Sequence, residues 1–141
     1  MLICGCGLSH PDRLAPMRRL VFAAVVALLA FPAGASATFR QFRSPTGHIG
    51  CAFESGGGLP RQVRCEWDGS NDRAFVLRQR GRTRVITISD TVRDPHAKVL
   101  HYGRSLRFGR IKCTSRRTGM TCRSLRSGHG FTVSVQRQRR F

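Results

Sequence analysis

Four cysteines beyond residue 50 constrain the fold of this chain more than any other feature of its sequence. They are Cys51, Cys65, Cys113 and Cys122. An even number of cysteines in a small exported domain predicts a disulfide framework. Three pairings are possible, and we favour Cys51–Cys65 with Cys113–Cys122, because each pair brackets a turn-rich segment and would join neighbouring strands. A zinc site is less favoured, because these cysteines form no C-x-x-C pair.

The amino-terminal region predicts that the chain is exported. A short positive region, Met17-Arg18-Arg19, precedes an uninterrupted apolar run of 11 residues from Leu20 to Ala30. Ala35-Ser36-Ala37 then supplies the small side chains that signal peptidase requires. Because a membrane-spanning helix needs about 20 apolar residues, we interpret residues 17–37 as a helical signal peptide that is cleaved after Ala37.

Residues 1–16 precede this pattern and do not belong to it. We interpret them as a start-site extension, with translation beginning at Met17. A lipoprotein anchor on Cys4 or Cys6 is the alternative, but no apolar run precedes either cysteine. The mature chain would then span residues 38–141, a length that suits a single disulfide-containing β domain with a modest core.

The mature segment is strongly basic. It has 22 lysines and arginines against six aspartates and glutamates, which gives a formal charge of +16 over 104 residues. Self-repulsion at this density weakens the compact state and favours binding to polyanions. All of these cations except Lys98 and Lys112 are arginines, whose planar forks suit phosphate and carboxylate recognition. GC-rich coding also raises arginine content and the arginines are scattered, so we favour a generally cationic surface over a dedicated nucleic-acid site.

Short runs of alternating apolar residues, separated by turn residues, predict an all-β domain. The run from Thr83 to Ser89 and the stripe of Phe131, Val133 and Val135 alternate most clearly. No mature segment sustains the 3.6-residue apolar period of a helix for three turns. We therefore expect a small antiparallel barrel or sandwich of about eight short strands, at 49–53, 62–67, 74–79, 83–89, 99–102, 106–113, 120–125 and 131–135.

Several segments are also recognisable as a set. They are SPTGHIGC (44–51), VRCEW (63–67), SDTV (89–92), VLHYG (99–103), IKCTSRRTGMTC (111–122) and SGHGF (127–131). Together they resemble DUF6636, a family of small exported actinobacterial proteins of unknown function. The resemblance implies export, disulfide bonds and one domain, and it brings no activity with it. His48 stands where the resemblance leads us to expect a small polar residue.

His129 is one candidate for a functional side chain. It stands between two glycines, and glycine lets a backbone approach a ligand closely. With Glu54 or Glu66 nearby, His129 would act as a general base on a phosphodiester held by arginines, as in small secreted ribonucleases. The favoured interpretation is a turn before the final strand, because no spacing ties His129 to a carboxylate. Neither a metal nor a cofactor is expected, because no two of His48, His101 and His129 lie at ligand spacing.

The basic tail supplies the other candidate ligand-binding residues. Arg137, Arg139 and Arg140 precede Phe141. Phe141 either folds back as an anchor or is exposed for a partner, and the sequence leaves both possibilities open. Together with His129, the three arginines are the residues that we would place in a ligand site.

These features favour a secreted, non-enzymatic binding or structural module that associates with anionic cell-envelope polymers or other polyanions. Nucleic acid would be a nonspecific partner, and no stable membrane span would remain after signal cleavage. Two alternatives stay open. One is a small secreted hydrolase of the ribonuclease type that uses His129, and the other is a protein-binding inhibitor that presents a rigid loop such as Ser55–Pro60.

Overall fold

Residues 36–141 are the part of the chain that the computed structural model describes, and they form two β-sheets without a helix. The strands are β1 (Thr38–Arg43), β2 (Ile49–Gly56), β3 (Leu59–Trp67), β4 (Arg73–Arg78), β5 (Arg84–Thr87), β6 (Lys98–Val99), β7 (Ser105–Phe108), β8 (Ile111–Arg116), β9 (Gly119–Ser124), β10 (Gly130–Val133) and β11 (Gln138–Arg140). The first sheet has the order β5-β4-β3-β2-β1-β6, and the second has the order β11-β10-β9-β8-β7. Neighbouring strands are antiparallel, apart from a two-residue parallel pairing of β1 with β6. The expected all-β class is confirmed.

The expected start-site extension at 1–16 lies outside the described residues, and so does nearly all of the expected signal peptide at 17–37. Cleavage after Ala37 therefore stays a prediction. The described part of the chain holds no helix of the length and apolar character that a membrane crossing needs.

The strand pattern differs from the sequence-based expectation in three places. Alternation of apolar residues does not predict β1 or β11, and it predicts one strand at 106–113 where the structure has the β7–β8 hairpin. β1 escapes the pattern because its two apolar residues do not alternate: Phe39 is exposed and Phe42 is buried. The exposed Arg40 stands between them, with its guanidinium 5.3 Å from the centroid of the Phe53 ring. The hairpin turns at Gly109, whose φ of +58° favours glycine. The result is eleven strands, some only two to four residues long, where about eight are expected.

The core lies between the two sheets, which pack face to face as a sandwich. The rings of Phe75 in the first sheet and Phe131 in the second are 5.3 Å apart between centroids. The Sγ atoms of Cys65 and Cys122 lie 3.9 Å apart across the same interface. Full burial of a large apolar side chain contributes about 1.5–3 kcal/mol to folding stability. The other buried members of this core are Phe42, Ile49, Cys51, Phe53, Val63, Trp67, Leu77, Leu100, Ile111, Cys113, Met120 and Val133.

Each sheet carries one disulfide on its core-facing side. Cys51–Cys65 joins directly opposite residues of β2 and β3. Cys113–Cys122 joins directly opposite residues of β8 and β9. All four half-cystines are fully buried. The pairing that we favour from the turn-rich segments is the pairing that the structure contains.

A strap formed by residues 89–94 lies across the outer face of the first sheet. The Glu66 carboxylate on β3 accepts hydrogen bonds from the Thr91 hydroxyl at 2.6 Å and from the Val92 N–H at 3.0 Å. The Gln41 amide on β1 donates to the Val92 carbonyl oxygen at 3.1 Å. Val92 itself is 1 % exposed, so the strap covers this face of the sheet much as a third layer would.

Gly50 lets the strap approach β2 closely. A Cβ atom at this position would lie 2.9 Å from the Cα atom of Arg93, a backbone atom that cannot move aside without displacing the strap. We expect Gly50→Ala to lower the free energy of unfolding by about 1–3 kcal/mol, the usual cost of overpacking. Urea unfolding of the variant beside the wild type measures this effect, and an unchanged free energy would contradict the close packing of the strap.

Candidate anion-binding surface

The second sheet is formed by a segment that has no acidic residue. Residues 95–141, which we call the acid-free segment, contain twelve lysines and arginines and no aspartate or glutamate. Residues 38–94 contain ten arginines and all six carboxylates of the expected mature chain. Because the acid-free segment supplies every strand of the second sheet, β7 to β11, and only the short β6 of the first, the excess positive charge is concentrated in the second sheet and its loops. The absence of acidic residues after Asp94 is visible in the sequence, but the total charge of the chain does not reveal it, because the total does not show how charge is distributed.

The carboxylates of the first sheet are largely occupied by partners in the same sheet and its strap. Glu54, Glu66 and Asp90 surround the Arg64 guanidinium, with N–O distances of 3.8, 3.3 and 3.3 Å. The hydrogen bond from Arg64 and its positive charge hold the pKa of Asp90 below its usual range. Within residues 36–141, no lysine or arginine of the acid-free segment takes part in an ion pair. These cations are therefore available to an external anion.

Asp68 makes a pH-dependent contact near the strap. Its carboxylate binds Nδ1 of His48 at 2.6 Å and also the Arg93 guanidinium. The hydrogen bond with His48, followed by the charge of Arg93, lowers the pKa of Asp68 below 3.8. Because the folded-state pKa lies below the unfolded one, the stability that Asp68 contributes is complete above about pH 4 and is lost as the pH falls through the folded pKa.

We therefore expect Asp68→Asn to be less stable than the wild type near neutral pH, with the difference shrinking once the pH falls below about 4. Urea unfolding of both proteins across the acid range tests this expectation. The difference should be modest because the Asp68 side chain is 38 % exposed, and solvent screens such pairs. A difference that stays constant down to about pH 2 would contradict the assigned role.

Five arginines line an open cleft of about 460 Å³ at one end of the sandwich. This arginine cleft contains Arg61 at the start of β3, Arg78 at the end of β4, Arg80 in the following turn, Arg110 in the β7–β8 turn and Arg126 after β9. No carboxylate lines it. The cleft joins arginines that are as much as 65 residues apart in the chain, so it arises only from the pairing of the strands and the packing of the sheets.

Gln79 connects the segments that form the arginine cleft. Its backbone N–H donates to the Arg61 carbonyl oxygen at 3.3 Å, and its side-chain Oε1 accepts from the Arg110 N–H at 2.9 Å. Its carbonyl oxygen accepts from the Ser124 hydroxyl at 2.6 Å. The same hydroxyl oxygen accepts from the Arg126 N–H at 3.2 Å. The backbone positions of the cleft are thus fixed by hydrogen bonds that need no ligand.

A second open cleft, of about 730 Å³, brings together three of the four ligand-binding candidates from the sequence. His129, Arg139 and Arg140 line it with Phe141, and Arg82 from the β4–β5 loop adds a further cation. We call this the terminal cleft. The fourth candidate, Arg137, does not line it and belongs to the turn between β10 and β11, where its N–H donates to the Ser134 hydroxyl oxygen at 3.0 Å.

Phe141 folds back onto the sheet. Its N–H donates to the Gly130 carbonyl oxygen at 3.0 Å, and its own carbonyl oxygen accepts from the Gly130 N–H at 2.9 Å. A Cβ atom at Gly130 would lie 2.3 Å from the Cys122 carbonyl oxygen and 2.8 Å from Cζ of Phe141. The structure combines the two possibilities for Phe141, because its backbone is held to Gly130 while the residue stays 41 % exposed. The glycine after His129 is therefore explained by close approach of the protein's own chain.

The structure does not bring His129 together with the glutamates that a ribonuclease mechanism would use. Glu66 is 2 % exposed and is held by Arg64 and the strap. Glu54 accepts a hydrogen bond from the Gln62 amide at 2.8 Å. No aspartate or glutamate lines the terminal cleft. In addition, residues 36–141 contain no group of three His, Cys, Asp or Glu side chains placed to hold a metal ion.

A row of three cations crosses the outer face of the second sheet. Arg107 on β7 lies directly opposite Lys112 on β8, which lies directly opposite Arg123 on β9. Their neighbour Cys113 faces the core, so these three side chains face solvent, because successive residues of a strand point to opposite faces. Like charges directly opposite each other on neighbouring strands are destabilising. An anion that lies along the row would relieve this repulsion.

A row of hydroxyl groups lies beside the cations on the same face. The Ser105 and Thr114 hydroxyl oxygens are 2.7 Å apart, and those of Thr121 and Thr132 are 2.9 Å apart. These residues are paired across β7, β8, β9 and β10 in a continuous register. Hydroxyl groups both donate and accept hydrogen bonds, so this row can bind the oxygen atoms of an anionic or sugar-containing polymer.

The fold and this surface define a class of protein: a disulfide-braced β-sandwich with one carboxylate-free, cationic half. A family model described as a family of unknown function (DUF6636) matches residues 57–141, and the chain belongs to this family. No curated protein and no solved structure matches the chain. The matched region contains five of the six recognised segments and both cationic clefts, whereas SPTGHIGC (44–51) precedes it.

Proposed function

We propose that this protein is a non-enzymatic binding module for anionic polymers, such as those of a cell envelope, and that it binds them through the acid-free segment. One observation carries the proposal: residues 95–141 contain twelve lysines and arginines and no aspartate or glutamate, and all of these cations except Lys98 belong to the second sheet and its loops. A row of like charges in adjacent strands costs folding stability. A protein that maintains such a row gains most from it when a polyanion is bound.

The binding would be mainly electrostatic. Cations that neutralise a polyanion release its condensed counterions, so the logarithm of the binding constant falls linearly with the logarithm of the salt concentration. For a surface that makes about three or more such contacts, we expect affinity for heparin or a teichoic acid to fall at least about tenfold between roughly 50 and 200 mM salt. Elution from a heparin matrix and titration in solution both measure this. Absence of binding at low ionic strength would overturn the proposal.

Two matched variants separate the location of charge from its total amount. Arg107→Gln/Lys112→Gln removes two cations from the outer face of the second sheet, and Arg73→Gln/Arg84→Gln removes two exposed cations from the first sheet. Both variants lose the same formal charge. We expect the second-sheet variant to bind several-fold more weakly and to show a shallower salt dependence, because fewer counterions are released. The first-sheet variant should stay close to the wild type, and equal losses would contradict the assigned surface.

Export is part of this proposal. Two buried disulfides in a small domain are typical of oxidising compartments, and the sequence of residues 17–37 has the order of a cleavable signal peptide. The resemblance to small exported actinobacterial proteins supports the same location. Intact mass of the protein from culture supernatant, before and after reduction and alkylation, tests it. The expected mass begins at Thr38 and gains four alkyl groups only after reduction, and a mass that begins at Met1 would contradict export.

A small hydrolase of the ribonuclease type is the second candidate function, because the half-buried His129 shares the terminal cleft with three arginines. It has less support, because an acid–base mechanism needs a second group in reach of the substrate and no aspartate or glutamate side chain lines this cleft. Incubation of RNA with the wild type and with His129→Ala tests it. We expect equal and negligible turnover, and cleavage that depends on His129 would favour the enzyme.

A further inference from the structure

We infer that the arginine cleft is a discrete, saturable site for phosphate groups, separate from the diffuse charge of the outer face. This inference deepens the proposed function and rests on it: the polymer surface would supply general attraction, and the cleft would select phosphate. The ligand chemistry is a run of closely spaced phosphates, either as free condensed phosphate or as the phosphates of a polymer chain.

Five arginine side chains converge on the cleft. Arg61, Arg78, Arg80, Arg110 and Arg126 come from four separate segments and meet in one concave site of about 460 Å³. None of them forms an ion pair within residues 36–141. Five guanidinium groups around one cleft repel each other, and a concave surface lined by one sign of charge focuses the field. The arrangement is favourable only when an anion of high charge occupies it.

The backbone around the cleft is preorganised by hydrogen bonds within the protein. Gln79 ties the backbones of β3, β4 and the β7–β8 turn to one another, and the Ser124 hydroxyl ties the loop after β9 to the same point. The Arg61 guanidinium lies over the Phe108 ring, 5.7 Å from its centroid. A ligand would therefore meet backbone that is already ordered, and the cost of ordering loops on binding is reduced.

The chemistry of the side chains in the cleft favours phosphate. All five cations of the cleft are arginines, although the chain has lysines elsewhere. Guanidinium groups donate parallel hydrogen bonds to a pair of oxygen atoms. A terminal phosphate offers three oxygen atoms and a charge of about −1.5 to −2 near neutral pH. It can engage several guanidinium groups at once, whereas a carboxylate, like a single phosphate inside a chain, offers two free oxygen atoms and one charge.

Calorimetric titration at about 150 mM salt, near physiological ionic strength, tests the inference with three probes of differing chemistry. They are tripolyphosphate, a short poly(glycerol phosphate) and tricarballylate, which carries three carboxylates. We expect saturable binding of tripolyphosphate with one site per protein, and tricarballylate should bind at least about tenfold more weakly. Comparison of the two phosphate probes shows whether the site accepts free condensed phosphate or phosphates within a chain. Equal binding of tricarballylate and tripolyphosphate would overturn the assignment to phosphate.

Matched variants locate the site. Arg78→Gln/Arg110→Gln should lose at least about tenfold in affinity for tripolyphosphate, because each removes charge-assisted hydrogen bonds. The control Arg73→Gln/Arg84→Gln loses the same charge from exposed positions outside the cleft and should bind within about threefold of the wild type. Arg80→Gln/Arg126→Gln, with both changes in exposed loops, provides a second test should the first variant prove unstable. Equal losses in cleft and control variants would overturn the discrete site.

Different results would contradict the proposed polymer-binding function and the phosphate site. If the wild type is not retained on heparin at low salt, the proposed polymer-binding function is wrong. If it is retained, but tripolyphosphate does not saturate or the cleft variants match the control, only the phosphate site is wrong. Urea unfolding of each variant confirms that it is folded before binding is measured.

Discussion

Joint replacement of Cys51 and Cys65 by alanine is expected to lower the free energy of unfolding by about 2–5 kcal/mol, and joint replacement of Cys113 and Cys122 is expected to do the same. The bridges close loops of 14 and 9 residues, which restricts the unfolded chain. Each also fills core space between the sheets, where all four sulfur positions are fully buried. Small domains are stable by about 5–15 kcal/mol, so one pair removes a large share of the total.

Removal of both disulfides should unfold the domain at room temperature. The two bridges touch, with Cys65 and Cys122 sulfur atoms 3.9 Å apart, so the combined effect should differ from the sum of the separate effects. Urea unfolding of the two double variants and of the quadruple variant measures both quantities. Addition of a reductant serves as the control, because it should destabilise the wild type and leave the quadruple variant unchanged. A reduced wild type with an unaltered unfolding transition would contradict this role.

Glu66→Gln is expected to lower the free energy of unfolding by about 3 kcal/mol, the lower end of the range for breaking a buried ion pair. Glu66 is 2 % exposed and accepts from Thr91 and from the Val92 N–H while it faces Arg64. Glu66→Gln would leave the Arg64 guanidinium short of a counter-charge in a site where solvent does not screen it. Glu54 and Asp90 remain near Arg64, which is why the lower end of the range applies.

Asp72→Asn is the matched control for this change. It also converts a carboxylate to an amide, but Asp72 is exposed and has a positive φ of 57°, a conformation that asparagine adopts readily. We expect its effect on unfolding to lie within about 0.5 kcal/mol. Equal effects of Glu66→Gln and Asp72→Asn in urea unfolding would contradict the view that Glu66 holds the strap to the first sheet.

The sequence predicts the parts of this fold that depend on local patterns. Alternation identifies β8 and β9 most directly, because their buried and solvent-facing positions alternate, whereas β2 and β4 are buried on both faces and appear as short apolar runs. The turn-rich segments between cysteines predict the pairing of Cys51 with Cys65, because a hairpin places its two strands side by side. β1 is less visible, because Phe39 is exposed, Phe42 is buried, and the charged, exposed Arg40 stands between them.

The candidate surface depends on information that no local pattern contains. The arginine cleft draws on residues from Arg61 to Arg126, and their proximity is set by strand register and by the contact between the sheets. For the terminal cleft, the sequence predicts the candidate residues but not how they come together. The sequence identifies His129, Arg139 and Arg140 as candidates, but it does not show that Phe141 would pair with Gly130 and bring the tail back beside His129.

The arginines of the tail also have an effect on the fold. β11 is an edge strand of the second sheet, and exposed edges invite pairing with other chains. Charged side chains at such an edge oppose that association. Arg139 and Arg140 therefore protect the edge and line the terminal cleft at the same time, so a variant at either position should be checked for aggregation before a loss of binding is assigned to the cleft.

The central claim is that polyanions bind to the second sheet and to the arginine cleft, and not to the molecule at large. Titration of the ¹⁵N-labelled, oxidised protein with a short polyphosphate, followed by backbone amide shifts at low salt, tests it residue by residue. The account predicts the largest shifts on β7, β8 and β9 and at the segments that line the arginine cleft, with little change in the strap at residues 89–94. Shifts that are largest on the strap, or that are absent at low ionic strength, would contradict it.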